Sequence, residues 1–492
     1  LSRDPIRDLT PTFVSSKGWP TTHFDMDAVE AVGLIKLDIL AQGGLAVLRD
    51  TQSVLPGLNL SSLEIGLAGQ TENPPREGEI EPWSDPGVWN MIATSNAPGV
   101  HHIESPAMTS LACMAGVRDI DRLVAIVSVI RPGAANGLKK AQFARRAQGL
   151  EPVDYTHESL AGVLRSTFGV VAYEEHILQI CEAFAGLAPG RADLLRRALV
   201  KQDEAKITEL KAEFLEAARD RRRDARSIER VWDLVAGFKG YAFCRAHSTA
   251  YAVEAYQGAY AKHYHPAEFM AAVLSNGKGF YSALVYTLEC RRLGIGFLLP
   301  EVNQPSDAFT VEPSDVLSGT PALPLGKAIR VPLRCIKDLS DATLTRWRSE
   351  LANDPFTSVR DFCVRVRPEG PEALNLIRAG AFDRLGGTRT EQFWHCLHAA
   401  QHHSTGAGWL FQGGAESNIR ATFREEPTLL QKLQDEMELF GFTISGHPLD
   451  LHPHIAWSTY CPIADLHLYH GKRVTVCGLI IVSRHHMQQN GQ

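Results

Sequence analysis

Between residues 109 and 280 the apolar side chains recur three and four positions apart, as Ile177, Ile180, Cys181 and Phe184 do, with breaks at Pro132-Gly133 and Pro189-Gly190. A period near 3.6 lines such residues along one stripe of a helix, and the stripe must bury against other helices. The pattern therefore predicts a large, mainly helical body. A chain of 492 residues, 44% of them hydrophobic, can bury several cores, so more than one domain is expected.

Strand signals stand at the two ends. The run Leu34-Ile35-Lys36-Leu37-Asp38-Ile39-Leu40 alternates, and the run Arg473-Val474-Thr475-Val476-Cys477-Gly478-Leu479-Ile480-Ile481-Val482 is the clearest strand pattern in the chain. Residues 56–98 are heavily punctuated by Pro and Gly and read as loop-rich with short helices. The stretch 306–326 turns to Pro, Ser and Gly and reads as a linker, and a second linker holds Gly406, Gly408, Gly413 and Gly414. Helical sections are expected over 339–400 and 429–440. The chain opens on Leu1 and closes on the turn signal Asn490-Gly491-Gln492, so it reads as a piece of something longer.

A net charge of -6 argues against a surface that is basic all over, but it leaves room for a local cationic groove. The nine cysteines include no CxxC pair, which fits buried thiols of a reducing compartment better than a zinc site or a disulfide framework. No stretch of about twenty apolar residues and no leader pattern occurs, so no membrane partner and a cytoplasmic address are expected.

Three constellations could carry chemistry. On the 34–40 strand, Lys36 and Asp38 project from the same face, an arrangement that suits a site where Asp holds Mg2+ and Lys meets phosphate; a surface ion pair at a strand edge is the alternative. After Pro189-Gly190, the helical run through Leu194, Leu195 and Leu199 places Arg197 and Lys201 on one face with Arg196 beside them. Arg forks and a Lys point charge can neutralise a triphosphate, although an ordinary solvated helix face has the same pattern. The third segment, Phe238-Lys239-Gly240-Tyr241-Ala242-Phe243-Cys244-Arg245-Ala246-His247-Ser248, interleaves rings with Lys239, Arg245 and His247, as base stacking beside phosphate contact requires; a lone His is more often a core or cap residue. The runs Lys139-Lys140, Arg145-Arg146 and Arg221-Arg222-Arg223 with Arg219 could line a nucleic-acid path or be simply solvated.

Taken in order, these segments resemble the bacterial DNA polymerase III alpha subunit, a C-family DNA polymerase. Gly33-Leu34-Ile35-Lys36-Leu37-Asp38 resembles the palm strand that bears the family's third catalytic aspartate. Ile103-Glu104-Ser105-Pro106, Ile130-Arg131-Pro132-Gly133, and Tyr173 with Glu175 are similar to successive fingers motifs, and residues 194–201 and 240–251 resemble its incoming-nucleotide surface. Ile336-Lys337-Asp338-Leu339 and Ala379-Gly380-Ala381-Phe382-Asp383 resemble the helix-hairpin-helix region, and Ser445-Gly446-His447-Pro448 precedes what resembles the start of an OB domain.

The resemblance implies a multi-domain, mainly α protein with a small α+β palm remnant and a truncated β, OB-like C-terminus. Its parts would be the end of the palm (1–50), fingers (51–305), a linker (306–328), the helix-hairpin-helix region (329–400), a linker with a degenerate clamp-binding-like motif near Leu410 and Phe411 (401–428), a connecting helical segment (429–459) and the start of the OB domain (460–492). It implies Asp38 and Lys36 as catalytic residues with Mg2+ on Asp38. Lys36, Arg196, Arg197, Lys201, Arg245 and His247 would bind dNTP, and Arg131, Lys139, Lys140, Lys239 and Lys337 would contact primer-template DNA. A sliding clamp and other replicative polymerase subunits are the implied partners. Val200 stands where the family usually has Gly, Cys244-Arg245-Ala246 where Asn-Lys-Ser is common, and Asp338 and Ser340 where the hairpin has glycines. The paired aspartates of the first palm strands have no counterpart, and two-metal transfer needs them, so the 492 residues alone are expected not to polymerise. A non-catalytic DNA-binding paralogue or scaffold, and an error-prone alpha subunit for lesion bypass, are the alternatives.

Overall fold

The computed structural model describes residues 2–16, 18–37, 42–60, 82–130, 137–238, 244–313, 325–404 and 426–481. The chain divides into two compact units, 1–43 and 44–492. The smaller unit is α+β: short helices Ile6–Leu9 and Met26–Ala31 accompany an antiparallel pair, Thr12–Val14 with Pro20–Thr22. The expected strand over 34–40 does not form in its described part. Residues 34–37 follow a left-handed Gly33 as irregular chain, with Ile35, Lys36 and Leu37 exposed. A strand holds its shape when it can bury an apolar face, and the side chains of Ile35, Lys36 and Leu37 stay exposed. Asp38, Ile39 and Leu40 lie outside them.

The larger unit is helical and built on three hydrophobic cores. The first surrounds the helix Arg245–Tyr264, whose residues from Ala252 to Ala259 are buried on every side; it packs against Pro86–Ala93, Ile120–Val129 and Pro266–Asn276. A helix buried all round must have its polar groups paired. Ser128 Oγ donates to Ser248 Oγ at 2.6 Å, and the buried Lys262 ammonium donates to the Asn96 and Pro98 carbonyls at 2.9 and 2.8 Å and to Glu289 at 2.5 Å. The second core gathers Ile177, Ile180, Cys181 and Phe184, the residues whose spacing announced it, with Leu195, Leu199, Phe214 and Trp232 of the helices Pro189–Lys201, Glu204–Asp220 and Ala225–Ala236. The third unites Asp341–Asn353, Val359–Val366, Gly370–Arg378 and Arg389–Ser404 around Trp347, Phe362 and Phe382.

Composition misleads over 306–326. That stretch carries the strand Thr310–Pro313, which pairs antiparallel with Lys327–Arg330; the latter pairs parallel with Gly296–Leu298 in a three-stranded sheet. The Arg330 guanidinium, buried among Glu312, Glu301 and the Leu299 carbonyl, ties the sheet together. At the other end, the β C-terminus is absent from the described residues: 473–481 form no strand, and Ile480 and Ile481 are exposed. Val482 and the residues after it lie outside the described part. The Cys461 N–H donates to the Thr475 carbonyl at 3.0 Å, and one such bond between the two segments does not make a ladder among the described residues.

Candidate nucleotide and nucleic-acid interface

The site begins at Tyr173, the N-cap of the helix Glu174–Ile180. Two carboxylates in its first turn suit the positive end of the helix dipole, and they point to different helices. Glu174 pairs with Arg196 Nη1 at 2.6 Å, and Glu175 accepts the backbone N–H of Arg245 at 2.8 Å. Neighbouring glutamates thereby bring together the arginines of the helix Pro189–Lys201 and the first turn of Arg245–Tyr264. The Arg245 guanidinium carbon lies 5.8 Å from the Tyr173 ring centre, and Nη2 pairs with Asp121 at 3.0 Å.

On Pro189–Lys201, Pro189 occupies the first turn, where its missing N–H costs nothing, and Leu195 and Leu199 turn inward. Arg197 is exposed and pairs with Asp193 at 2.8 Å, which also takes Arg196 Nε at 2.9 Å; Lys201 is exposed in the last turn. Burial pushes the Asp193 carboxyl up, and the two guanidiniums more than offset it and hold it below the usual range. Behind the site, burial and then the charge of Arg245 push His176 down to about 3. Its neutral ring accepts the Ala172 N–H through Nδ1 at 3.2 Å.

The helix carrying Arg245 is capped weakly. Cys244 is its N-cap, and the sulfur accepts the His247 N–H at 3.4 Å, a softer bond than the oxygen of Asn or Ser would make. His247, Tyr251 and Glu254 follow one another along one face. The Tyr251 ring lies 4.2 Å from His247 and stacks at 4.0 Å on His102, whose Nε2 is 3.1 Å from Glu254.

The structure thus ties Arg196 and the first turn of the Arg245 helix to one helix start, with Arg197 paired to Asp193 beside Arg196 and His247 two residues after Arg245. Lys36 belongs to the smaller unit. Asp38, Arg131 and Lys239 lie outside the described residues, as do Leu410 and Phe411 and the side chain of Lys139. Lys140 is half-buried. The counter-charges Glu174, Asp193 and Asp121 were not singled out from sequence; Asp193 was within reach, since a carboxylate three and four residues before two arginines on a helix pairs with both.

Lys337 sits on the hairpin that opens the helix Asp341–Asn353. Asp338 adopts the left-handed conformation (φ 59°) that asparagine and aspartate tolerate better than most residues. Ser340 caps the helix through the Thr343 N–H at 3.2 Å. The buried Glu372 accepts the Ser340 N–H at 2.9 Å, the Thr343 hydroxyl at 2.7 Å and the Glu369 N–H at 2.8 Å, while the Lys337 N–H donates to the Leu439 carbonyl at 3.0 Å. Gly380, on the second quoted motif, has φ 76° and lies so close to Arg389 that a Cβ would sit 2.4 Å from Nη2.

Family models cover the hairpin region and the part of the site up to residue 222, while Arg245 and His247 fall between the two matches. Residues 71–222 match the family model described as the bacterial DNA polymerase III alpha subunit finger domain, and 294–392 match the helix-hairpin-helix motif. An arginine-bearing fingers body followed by a helix-hairpin-helix region is the class that fold and site define. The chain belongs to the bacterial DNA polymerase III alpha subunit family, of which it carries these two parts. It is 30% identical to the DNA polymerase III subunit alpha of Campylobacter jejuni over 92% of its length, and 32% identical to that of Caulobacter vibrioides over 91%. It is 31% identical to an error-prone DNA polymerase of Symbiobacterium thermophilum over 84%. The chain spans 37% or 38% of the length of these relatives. Among the described residues no cluster of His, Cys, Asp or Glu is placed to hold a metal ion, and no helix is long and apolar enough to cross a membrane.

Proposed function

We propose that this chain is the fingers and helix-hairpin-helix part of a DNA-directed DNA polymerase, and that Arg196, Arg197, Lys201, Arg245 and His247 receive the incoming dNTP. The observation that carries the reading is the Tyr173-Glu174-Glu175 bridge, which joins Arg196 to the start of the helix bearing Arg245. Guanidiniums held by carboxylates can exchange one anion for another, and a polyphosphate offers bidentate oxygens at the same spacing. In the parent protein Asp38 would hold Mg2+, which would supply charge neutralisation on the phosphates, and Lys36 would serve as a further phosphate-binding cation. Primer-template DNA meets Lys140 and Lys337, together with Arg131, Lys139 and Lys239. The 492 residues alone do not extend a primer. A sliding clamp reached through Leu410 and Phe411, and further replicative subunits, are the partners.

Equilibrium dialysis of labelled dATP against the 492-residue chain tests the site. Arg196→Ala and Arg245→Ala should each weaken binding roughly tenfold or more, the value of one charge-assisted bond; unchanged binding in both refutes it. Primer extension by the unaltered chain with Mg2+ refutes the claim of inactivity. An error-prone alpha subunit is the second reading. It is favoured by the hairpin at Asp338, where Glu372 and Leu439 already take the N–H groups of Ser340 and Lys337 that a DNA phosphate would need.

A further inference from the structure

Most arginines of the nucleotide site are neutralised, but two nearby ones are not. Arg165 and Arg221 face an open cleft of about 990 Å³ that Arg245 also lines. Neither has a carboxylate within ion-pair distance among the described residues, whereas Arg245 has Asp121, and Arg122 at the same cleft has Asp119 at 3.3 Å. Arg221 ends the helix Glu204–Asp220, and its guanidinium lies across Gly186. A Cβ at Gly186 would come within 2.4 Å of Arg221 Nε, so the bare glycine, itself left-handed at φ 74°, leaves the space that sets this cation against the cleft wall. A guanidinium placed by its surroundings and left without an anion is poised to take one.

The rest of the lining says which anion. Phe168 is half-buried at the cleft and held in the left-handed region (φ 52°), which phenylalanine rarely adopts. Its ring packs edge-on against Phe143 at 5.4 Å, and Arg122 lies 5.8 Å from its centre. Ser166 and Gln179 add neutral hydrogen-bonding groups. Against phosphate stands Glu182, the one cleft carboxylate with no pairing among the described residues. Two free cations outweigh it. Spaced cations, a ring and amide or hydroxyl donors in an open trough are what a single-stranded polynucleotide uses: phosphates on arginine, a base beside the ring. The volume lies at the upper end of the small-ligand range, too little for a duplex to enter.

We propose that the cleft bounded by Arg165, Arg221 and Phe168 binds a single-stranded stretch of DNA that continues past Arg245. The inference rests on the polymerase reading for the kind of polymer, and on the cleft for its place. Neutralising two phosphates of a single strand gives a salt slope of about -1.4 in log K against log salt, so losing both cations weakens binding roughly sixtyfold at 0.05 M salt relative to the 1 M limit.

The test is fluorescence anisotropy of 5′-labelled (dT)20 with the 492-residue chain, titrated from 0.05 to 0.5 M salt. Arg165→Ala/Arg221→Ala should lower affinity by that order and flatten the slope by about 1.4, while the charge-matched control Lys206→Ala/Arg226→Ala, on exposed faces away from the cleft, should leave the slope intact. Gly186→Ala should shift affinity in the same direction by displacing Arg221. An unaltered slope in the double variant, equal losses in the control, or no binding of (dT)20 by the unaltered chain overturns the proposal. Labelled dATP separates the two readings. If dATP binding depends on Arg196 and Arg245 while (dT)20 ignores Arg165 and Arg221, only the cleft proposal falls; if neither probe binds, the polymerase reading falls with it.

Discussion

The carboxylate of Glu372 gives the sharpest prediction, because three donors converge on a group that is 4% exposed. Oε1 takes the Ser340 N–H, and Oε2 takes the Thr343 hydroxyl and the Glu369 N–H. In Glu372→Gln the amide oxygen can keep the two donors on the Oε2 side, but the NH2 then faces the Ser340 N–H, donor against donor. Two charged bonds become neutral ones at about 1 kcal/mol each, and one donor is left without an acceptor at a further 1 kcal/mol or more, so the hairpin loses about 3 kcal/mol. Amide hydrogen exchange at Ser340 and Thr343 reads this locally, and at 1.4 kcal/mol per tenfold their protection should drop roughly a hundredfold near pH 7. Burial alone would push the Glu372 carboxyl up, but its bonds to Ser340, Thr343 and Glu369 outweigh that and hold it below 4.5. A depressed carboxyl contributes stability above its unfolded value and loses it as pH falls through the folded one, so the gap between the parent and Glu372→Gln should close below about pH 4.5. Equal protection at neutral pH, or a gap that persists in acid, would refute the reasoning.

His176, neutral down to about 3 in the fold but titrating near 6.5 when unfolded, makes the fold bind fewer protons than the unfolded chain between those values. Stability should therefore drop as the pH is lowered across that window, by up to about 1.4 kcal/mol per unit from this group, and the NMR shift of its ring should stay flat from pH 8 to 4. Lys262→Met removes the ammonium that joins two carbonyls to Glu289; Arg292 still holds Glu289 at 2.6 Å, so the loss should sit near 3 kcal/mol in urea unfolding, the low end for a broken buried pair. Cys244→Asn replaces a sulfur cap with an oxygen and should stabilise the helix Arg245–Tyr264 by about 1 kcal/mol, seen as slower exchange at His247.

The helices were legible because their causes are local. Thr428 and Gln431 form a capping box at the start of Leu429–Phe440, Gly441 closes it with φ 77°, and the expected span is the observed one. The 473–482 run had strong β propensity and still makes no strand over its described part, since propensity supplies no partner. Strands Thr310–Pro313 and Lys327–Arg330 were hidden for the opposite reason: Pro, Ser and Gly surround them, and their stability comes from Arg330 meeting Glu312 and Glu301 across the fold. Distance in sequence also hid why Ser445-Gly446-His447 is shaped as it is. The buried Glu436 accepts the Ile444 and Ser445 N–H groups, and Arg291, some 150 positions earlier, donates to the carbonyls of Thr443, Ile444 and Gly446. No spacing rule links those residues.

The same limit decides how the nucleotide site should be understood. Sequence placed Arg196 and Arg197 together as equal cations, but they differ in access: Arg196 is 20% exposed and held by Glu174 and Asp193, Arg197 is 63% exposed with Asp193 alone, and Arg245 is 48% exposed. On the dNTP reading, a polyphosphate arriving from solvent meets Arg197 and Arg245 first, where a partly exposed ion pair is worth about 1 kcal/mol or less and is readily exchanged. Reaching Arg196 requires Glu174 to give way. Because Glu174 adjoins Glu175, which accepts the Arg245 N–H, displacement at one end of the bridge bears on the first turn of the helix at the other. That turn is closed by the weak sulfur cap of Cys244, so it is the element of this site least able to resist a shift. Carboxylates that neutralise the arginines in the absence of ligand thus also connect the two helices that a bound triphosphate would have to span.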